Sequence, residues 1–401
     1  MDLGELYRRE SGRILASLIR VAGDFTLAED AVQDAFATAH VRWPQQGVPP
    51  NPAGWLYTTA RHKIIDQIRR RSLAEAKYQE MITLAPPDES APVPEDTLRL
   101  IFTCCHPALA PDAQVALTLR TVCGMATEEI ARAFVVPVAT VAQRIVRAKA
   151  KIRLAGIPYI VPEGDDLHER LQSVLAVVYL VFNEGYSASA GPDLLRPDLS
   201  NEAIRLGRDL THLLPSSREA RGLLALMLLT DARRATRVDA EGAFVRLEDQ
   251  DRTRWDRARI EEGAGLVEAA LRAGPAGPYT VQAAIAALHA QAPSASATDW
   301  AQIAQLYQVL HRLQPSPVVK LNHAVAVAMA EGPEQGLTLL EGINLPGYHL
   351  LPAARAELLA RLGRRAEAAA SYRVALQLVN TVPERRYLEQ RLAAVTREAA
   401  G

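Results

Sequence analysis

EEIARAFVVPVATVAQRIVRAKAKIR, residues 128–153, is the stretch on which the reading of this chain turns. A short apolar helix, a break over residues 135–137 and a longer basic helix make the outline of a helix-turn-helix. On a helix from Val138, the side chains of Val141, Ile145, Ala148 and Ile152 recur on one side. They must pack on Ile130, Ala131 and Phe134 of the helix before, which Thr127 is expected to cap. The other side carries Gln143, Val146 and Arg147, flanked by Arg144 and Lys149. Glutamine and arginine hydrogen-bond base edges in a major groove and flanking cations neutralise phosphates, so this side suits the reading of duplex DNA.

The rest of the chain gives that basic helix its context. The 401 residues carry 45 Lys and Arg against 46 Asp and Glu, so attraction to nucleic acid must come from local patches. A second patch lies in ARHKIIDQIRRRS, with Arg61, Lys63, Arg69, Arg70 and Arg71. No apolar run reaches the length of a membrane span, and MDLGELYRRESGRIL lacks the pattern of a secretory signal. A cytoplasmic protein with no membrane association is the expectation, and its three cysteines agree.

Almost every segment has helical periodicity. TLAEDAVQDAFATAHVRW, residues 26–43, opens with Thr26 and Glu29 in capping-box spacing and repeats Ala28, Ala31, Val32, Ala35, Phe36 and Ala39 on one face. Its other face carries Glu29, Asp30, Gln33 and Asp34. NPAGWLYTTARHKIIDQIRRR, residues 51–71, starts with Asn51 as N-cap and Pro52 at the first helical position. APPDESAPVPED, residues 85–96, breaks the pattern and reads as a linker. Beyond residue 162 the chain is Ala- and Leu-rich helix after helix. Leu362, Gly363, Glu367, Ala368, Tyr372, Ala375 and Leu376 stand where a tetratricopeptide helix pair places its turn and packing residues, with a weaker copy at Gly332, Gly336 and Leu340.

AEDAVQDAFATAH, WLYTTARHKIIDQIRRR and the opening stretch, in that order, resemble an extracytoplasmic-function sigma factor, the specificity subunit of bacterial RNA polymerase. RLIFTCCHPALAPDAQVALTLR, FNEGYSAS and LLALMLLTDARRATR resemble the subgroup with a long tetratricopeptide-like C-terminal extension. The resemblance implies an all-α chain: a region 2 bundle over residues 1–85, a linker over 86–97, a region 4 helix-turn-helix over 98–162, and a regulatory helical-repeat domain over 163–401. It implies core RNA polymerase and promoter DNA as partners, a further protein or small molecule acting on the C-terminal domain, and no cofactor.

Residue by residue, the resemblance implies that Asp30, Gln33 and Asp34 contact the polymerase. It places Arg61, His62, Lys63 and the run from Arg69 through Arg70 to Arg71 along the melted −10 element. Unpaired DNA calls for a cationic track and a pocket for a flipped base, which the loop QQGVPPNPAG would supply. Gln143, Arg144, Val146, Arg147 and Lys149 would face the −35 element, with Arg120 on a phosphate. Two positions depart from the family: His62 stands where Asn is frequent beside the flipped base, and Ala142 where a basic residue is common.

Other clusters invite other chemistry. Cys104, Cys105, His106 and Cys123 lack zinc-finger spacing and read as packing residues. The stretch from Glu248 to Arg252 is the most enzyme-like, yet no nucleophile or phosphate loop accompanies it, so it reads as a solvated junction and the protein as no enzyme. Asn183 and Glu184 are expected to cap a turn at Gly185; Trp43, Trp55, Trp255 and Trp300 sit on apolar faces and read as core, with a groove lining as the alternative for Trp255. The rival reading is a helix-turn-helix regulator with a ligand- or peptide-binding repeat domain, but a dimeric operator reader needs one DNA helix per subunit, not two unlike basic modules.

Overall fold

The computed structural model describes residues 3–72 and 94–400, and the described residues are all-α, with two isolated β-bridges and no strand. They divide into two compact units, residues 1–177 and 178–401. The first holds α1 (Leu3–Ala22), α2 (Phe25–Gln46), α3 (Pro52–Ser72), α4 (Pro94–Cys104), α5 (Pro111–Thr121), α6 (Thr127–Ala133), α7 (Val138–Leu154) and the start of α8 (Gly164–Tyr186). Leu6, Ile14, Leu15, Leu18 and Ile19 of α1 are buried, as are Ala28, Ala31, Val32, Ala35, Phe36 and Ala39 of α2, the stripe that the 3.6-residue period requires. Leu56, Ala60 and Ile64 close this bundle from α3, whose first turn is capped by Asn51 accepting from Gly54 N at 2.9 Å. Trp43 and Trp55 meet edge to face at 5.4 Å.

The second unit continues α8 and adds α9 (Pro197–Leu213), α10 (Arg218–Asp231), α11 (Arg257–Arg272), α12 (Pro278–Gln291), α13 (Trp300–Leu313), α14 (Pro317–Glu331), α15 (Pro333–Leu340), α16 (Leu350–Arg361), α17 (Arg365–Leu378) and α18 (Val382–Ala400). Successive helices pack as pairs. Gly332 and Gly363 sit at the turns of the last pairs with φ of 120° and 72°, a region L side chains avoid. Behind them Leu340, Ala368, Tyr372 and Ala375 are buried, while Leu362 and Leu376 are half-buried and Glu367 is exposed, so the spacing marks packing positions in part.

Several local features differ from expectation. The N-cap of α2 is Asp24, whose carboxylate accepts from Leu27 N at 2.8 Å, while Thr26 is already inside the helix. Helix α4 begins at Pro94, within the stretch read as linker. Proline forfeits no bond in a first turn, and Glu95 and Asp96 suit its positive end. Thr127 is the first residue of α6 and not its cap; Glu129 Oε2 instead accepts from Ala126 N at 2.8 Å. No turn forms at Gly185, because α8 runs on to Tyr186 while Glu184 turns to Ser189 N and Arg196.

The stretch from Glu248 to Arg252 is not wholly solvated. Gln250 and Arg252 are buried, and Arg252 Nη1 donates to His289 O and Ala292 O at 2.7 and 2.8 Å. Trp255 is core, its Nε1 donating to Thr236 Oγ1 at 3.0 Å, whereas Trp43, Trp55 and Trp300 are only half-buried. All three cysteines are buried. Cys104 lies 3.1 Å from the Thr121 hydroxyl, and burial pushes the Cys105 thiol up to about 12, so neither is a thiolate ligand at neutral pH.

His289 carries an unusual titration. Burial, with Arg233 and Arg252 nearby, lowers its pKa from 6.5 to about 3. The folded protein therefore refuses a proton that the unfolded chain accepts. This contribution to stability is complete above pH 6.5 and is lost as pH falls towards 3, at about 1.4 kcal/mol per pH unit. We expect His289→Gln to flatten the loss of stability between pH 6 and pH 4. Urea unfolding at both pH values checks it, and an unchanged slope rejects it.

Candidate nucleic-acid and polymerase interface

The recognition side is built from α7 upward. Val141, Ile145, Ala148 and Ile152 are buried against α5 and α6, which fixes the helix's rotation and leaves Gln143, Val146 and Arg147 exposed, Val146 at 66%. The chain reaches α7 through Val135 at φ 51°, where residues of the 135–137 break leave the helical path. Gln143 and Arg147 thus lie four residues apart on one face, the spacing that lets two side chains reach neighbouring base edges.

The flanking cations are not equally available. Arg144 Nη2 pairs with Asp112 of α5 at 2.9 Å. Arg120 is half-buried and donates to Met125 O at 3.1 Å, bracing the turn before α6. Lys149 is half-buried, bonded to Glu29 of α2 and within 5.5 Å of the Phe25 ring. Of the six residues expected at the −35 element, Gln143, Val146 and Arg147 stand clear while Arg120, Arg144 and Lys149 are engaged within the protein. Phosphate contact by these three requires the exchange of an existing partner.

Helix α3 carries the second track. His62 and Arg69 are exposed, Arg61 and Lys63 half-buried, and the side chains of Arg70 and Arg71 lie outside the described residues. Asp30, Gln33 and Asp34 of α2 are exposed together, as the amphipathic pattern requires. Asp34 is not isolated, for Lys63 Nζ stands 3.1 Å from its carboxylate and couples the acidic face to the cationic track.

Sequence reasoning missed how closely the two modules pack. Helix α1 touches α2 and α3 and also α4 and α5. Gly12 makes this possible: a Cβ there would stand 2.5 Å from Val122 O, and one at Gly124 would stand 2.9 Å from Ser11 Oγ. A glycine inside an otherwise helical pattern is the signal that could have pointed to so close an approach. Around it, Arg8 pairs with Glu129 at 2.7 Å, Arg20 with the buried Asp96 at 3.2 Å, and Tyr159 donates to Ala16 O at 2.8 Å. A cleft of about 590 Å³ remains between the modules, lined by Ile19, Phe25, Val146, Lys149, Ile152 and Tyr159 among others. Thus Val146 of the reading face also looks into the space beside region 2.

Known proteins match this layout. Residues 6–73 match the sigma-70 region 2 family and residues 99–152 the sigma-70, region 4 family. Residues 170–271 match a family of unknown function, DUF6596. The chain is 45% identical over 397 residues to the uncharacterized protein R00370 of Rhizobium meliloti, covering 96% of this chain and 94% of that one. It is 26% identical over 153 residues to the ECF RNA polymerase sigma factor SigE of Mycolicibacterium smegmatis, 37% of this chain and 59% of that one. No solved structure matches. None of the matched families points to an enzyme, and no helix among the described residues is long and apolar enough to cross a membrane.

Because α1 holds both modules, a methyl group at its point of closest approach and a reversed charge at Glu29 are expected to part them. We expect the distance between spin labels on α3 and α7 to lengthen in Gly12→Ala with Glu29→Lys, read by pulsed electron resonance. Restoring attraction with Lys149→Glu in the Glu29→Lys background should shorten it again. An unchanged distance in the first variant rejects the account.

Proposed function

We propose, from the premise that the chain belongs to one family with the rhizobial protein and carries sigma-70 regions 2 and 4 in order, that it is a sigma factor of the extracytoplasmic-function type. It directs core RNA polymerase to specific promoters in the cytoplasm. The observation that carries this reading is the pair of unlike cationic surfaces on one compact unit: the open Gln143, Val146, Arg147 face of α7 for the −35 element, and the α3 track with Arg61, His62, Lys63 and Arg69 for melted −10 DNA. Asp30, Gln33 and Asp34 form the polymerase contact. The helix-pair unit beyond α8 is a tetratricopeptide-like extension that regulates the factor in cis.

The packing within residues 1–177 refines that regulation. The two DNA-binding modules hold each other directly through α1, so their closed arrangement does not wait on the C-terminal unit. Docking on two separate promoter elements frees Lys149 from Glu29 as the modules part, and polymerase or a ligand supplies the differential binding that shifts the population. Regulation by the C-terminal unit acts on that equilibrium or on the polymerase contact.

Promoter-specific initiation by purified core polymerase tests the reading, and no initiation at any promoter would overturn it. Arg147→Ala and Gln143→Ala are expected to relax discrimination at the −35 element by about 1 to 3 kcal/mol where the contact is bidentate, in a competition assay across sequence variants. Asp30→Lys with Gln33→Ala should weaken association with core polymerase and leave promoter preference intact once bound. Truncation after α8 should change transcription: a gain marks the extension as inhibitory, a loss as a positive contact, and no change rejects regulation in cis.

A further inference from the structure

The C-terminal unit closes on itself. Val382 N donates to Gly191 O at 3.2 Å, Phe244 N to Pro383 O at 3.2 Å, and Arg386 to Glu241 O at 2.7 Å. The start of α18 is thereby held against the loops that follow α8 and α10. Phe244 and Tyr387 meet edge to face at 5.6 Å across the same seam. Inside it lie the residues of DARRATR, 231–237, whose arginines divide into two kinds.

Arg234 bonds Asp231, Ser200 and Asn201, as a structural arginine should. The side chains of Arg233 and Arg237, among the described residues, meet no carboxylate within 4.0 Å and donate no hydrogen bond. Both lie over one tyrosine: the Tyr186 ring has the Arg237 guanidinium at 3.9 Å and that of Arg233 at 5.7 Å. Arg237 is 8% exposed with its Nε unpartnered, and Tyr186 is 6% exposed with its hydroxyl unpartnered. The carboxylate that acts on Arg237 through space is Glu384, already engaged by His349 and the Thr381 hydroxyl.

Two cations over one ring, with Arg237 buried and its through-space carboxylate already engaged, is an arrangement that folding alone disfavours. Cation–π attraction offsets part of the cost but neutralises no charge. Arg233 adds to the effect, since its charge also helps to drive His289 neutral. The two guanidiniums are cationic and can only donate, and the Tyr186 hydroxyl can donate beside them, so the cluster suits an anion. Arg233 is half-exposed, which leaves one side open to solvent.

We propose that Arg233, Arg237 and Tyr186 form a receptor for a small oxyanion, a carboxylate- or phosphate-bearing molecule that accepts from both guanidiniums and the tyrosine hydroxyl. The bound anion supplies the missing charge and ties α8 to the end of α10, and with them the seam that α18 closes. This site stands whether or not the chain directs RNA polymerase, since its test reads binding alone.

Full-length protein is titrated with inorganic phosphate and, separately, with succinate, against sodium chloride at matched ionic strength, with melting temperature and calorimetry as readouts. The expected result is saturable binding and a rise in melting temperature with one or both probes; whichever binds more tightly identifies the phosphate or carboxylate class. Arg233→Gln should weaken binding at least tenfold while raising the melting temperature of the anion-free protein, because it removes an uncompensated like charge. A merely structural arginine would lower that temperature. Tyr186→Phe, which deletes only the unpartnered hydroxyl, should also weaken binding, and Arg272→Gln on the surface of α11 should not. No response beyond chloride, or undiminished binding in both Arg233→Gln and Tyr186→Phe, overturns the proposal.

Discussion

The close approach of α1 to the turn after α5 is the constraint on which the N-terminal unit depends. With no side chain at Gly12, the helix backbone comes against Val122 O, and three further ties then fall into reach: Arg8 to Glu129, Arg20 to Asp96 and Tyr159 to Ala16. Each tie is modest alone. They flank the packed Ile14, Leu15, Leu18 and Ile19, with Arg8 and Arg20 themselves largely exposed and Asp96 buried. A bulkier residue at position 12 would meet the Val122 carbonyl and force α1 away from the turn after α5.

That packing also sets how much of the basic helix can read DNA. Four apolar side chains fix the rotation of α7, and its remaining positions are divided by what stands nearby. Gln143 and Arg147 face open solvent, whereas Lys149 is claimed by Glu29 and Arg144 by Asp112. On the proposed reading, the side chains expected to discriminate bases are exposed, and those expected to hold phosphates are kept in internal pairs.

In the C-terminal unit the same accounting gives a different outcome. Its helices bury Ala and Leu faces in pairs, and the irregular stretch over residues 232–256 satisfies most of its polar groups internally, through Gln250, Thr236, Trp255 and Arg252. The Tyr186 hydroxyl and Arg237 Nε are left without partners, as are ring nitrogens of His289, His311 and His323 in the same unit.

What the sequence by itself determined is local and periodic. The helix-turn-helix, the buried faces of α2 and α7, the Asn51 cap and the turns at Gly332 and Gly363 all follow from residues within one or two helical turns of each other, where a 3.6-residue repeat and a φ requirement suffice. For the same reason Asp30, Gln33, Asp34, Gln143 and Arg147 were legible as exposed. Caps proved less legible: the choice between Asp24 and Thr26 depends on where one carboxylate reaches one amide. Only the tertiary structure decided which charges remain available. Lys149 and Glu29 are 120 residues apart, and Tyr186 and Arg237 lie on different elements, so their meeting depends on how helices pack. No period in the chain encodes that Lys149 of α7 is held by Glu29 of α2, or that two arginines share one tyrosine ring without a paired carboxylate. Those facts arise where separate faces are forced together, and the physical reason is burial, which removes water and makes each remaining partner count.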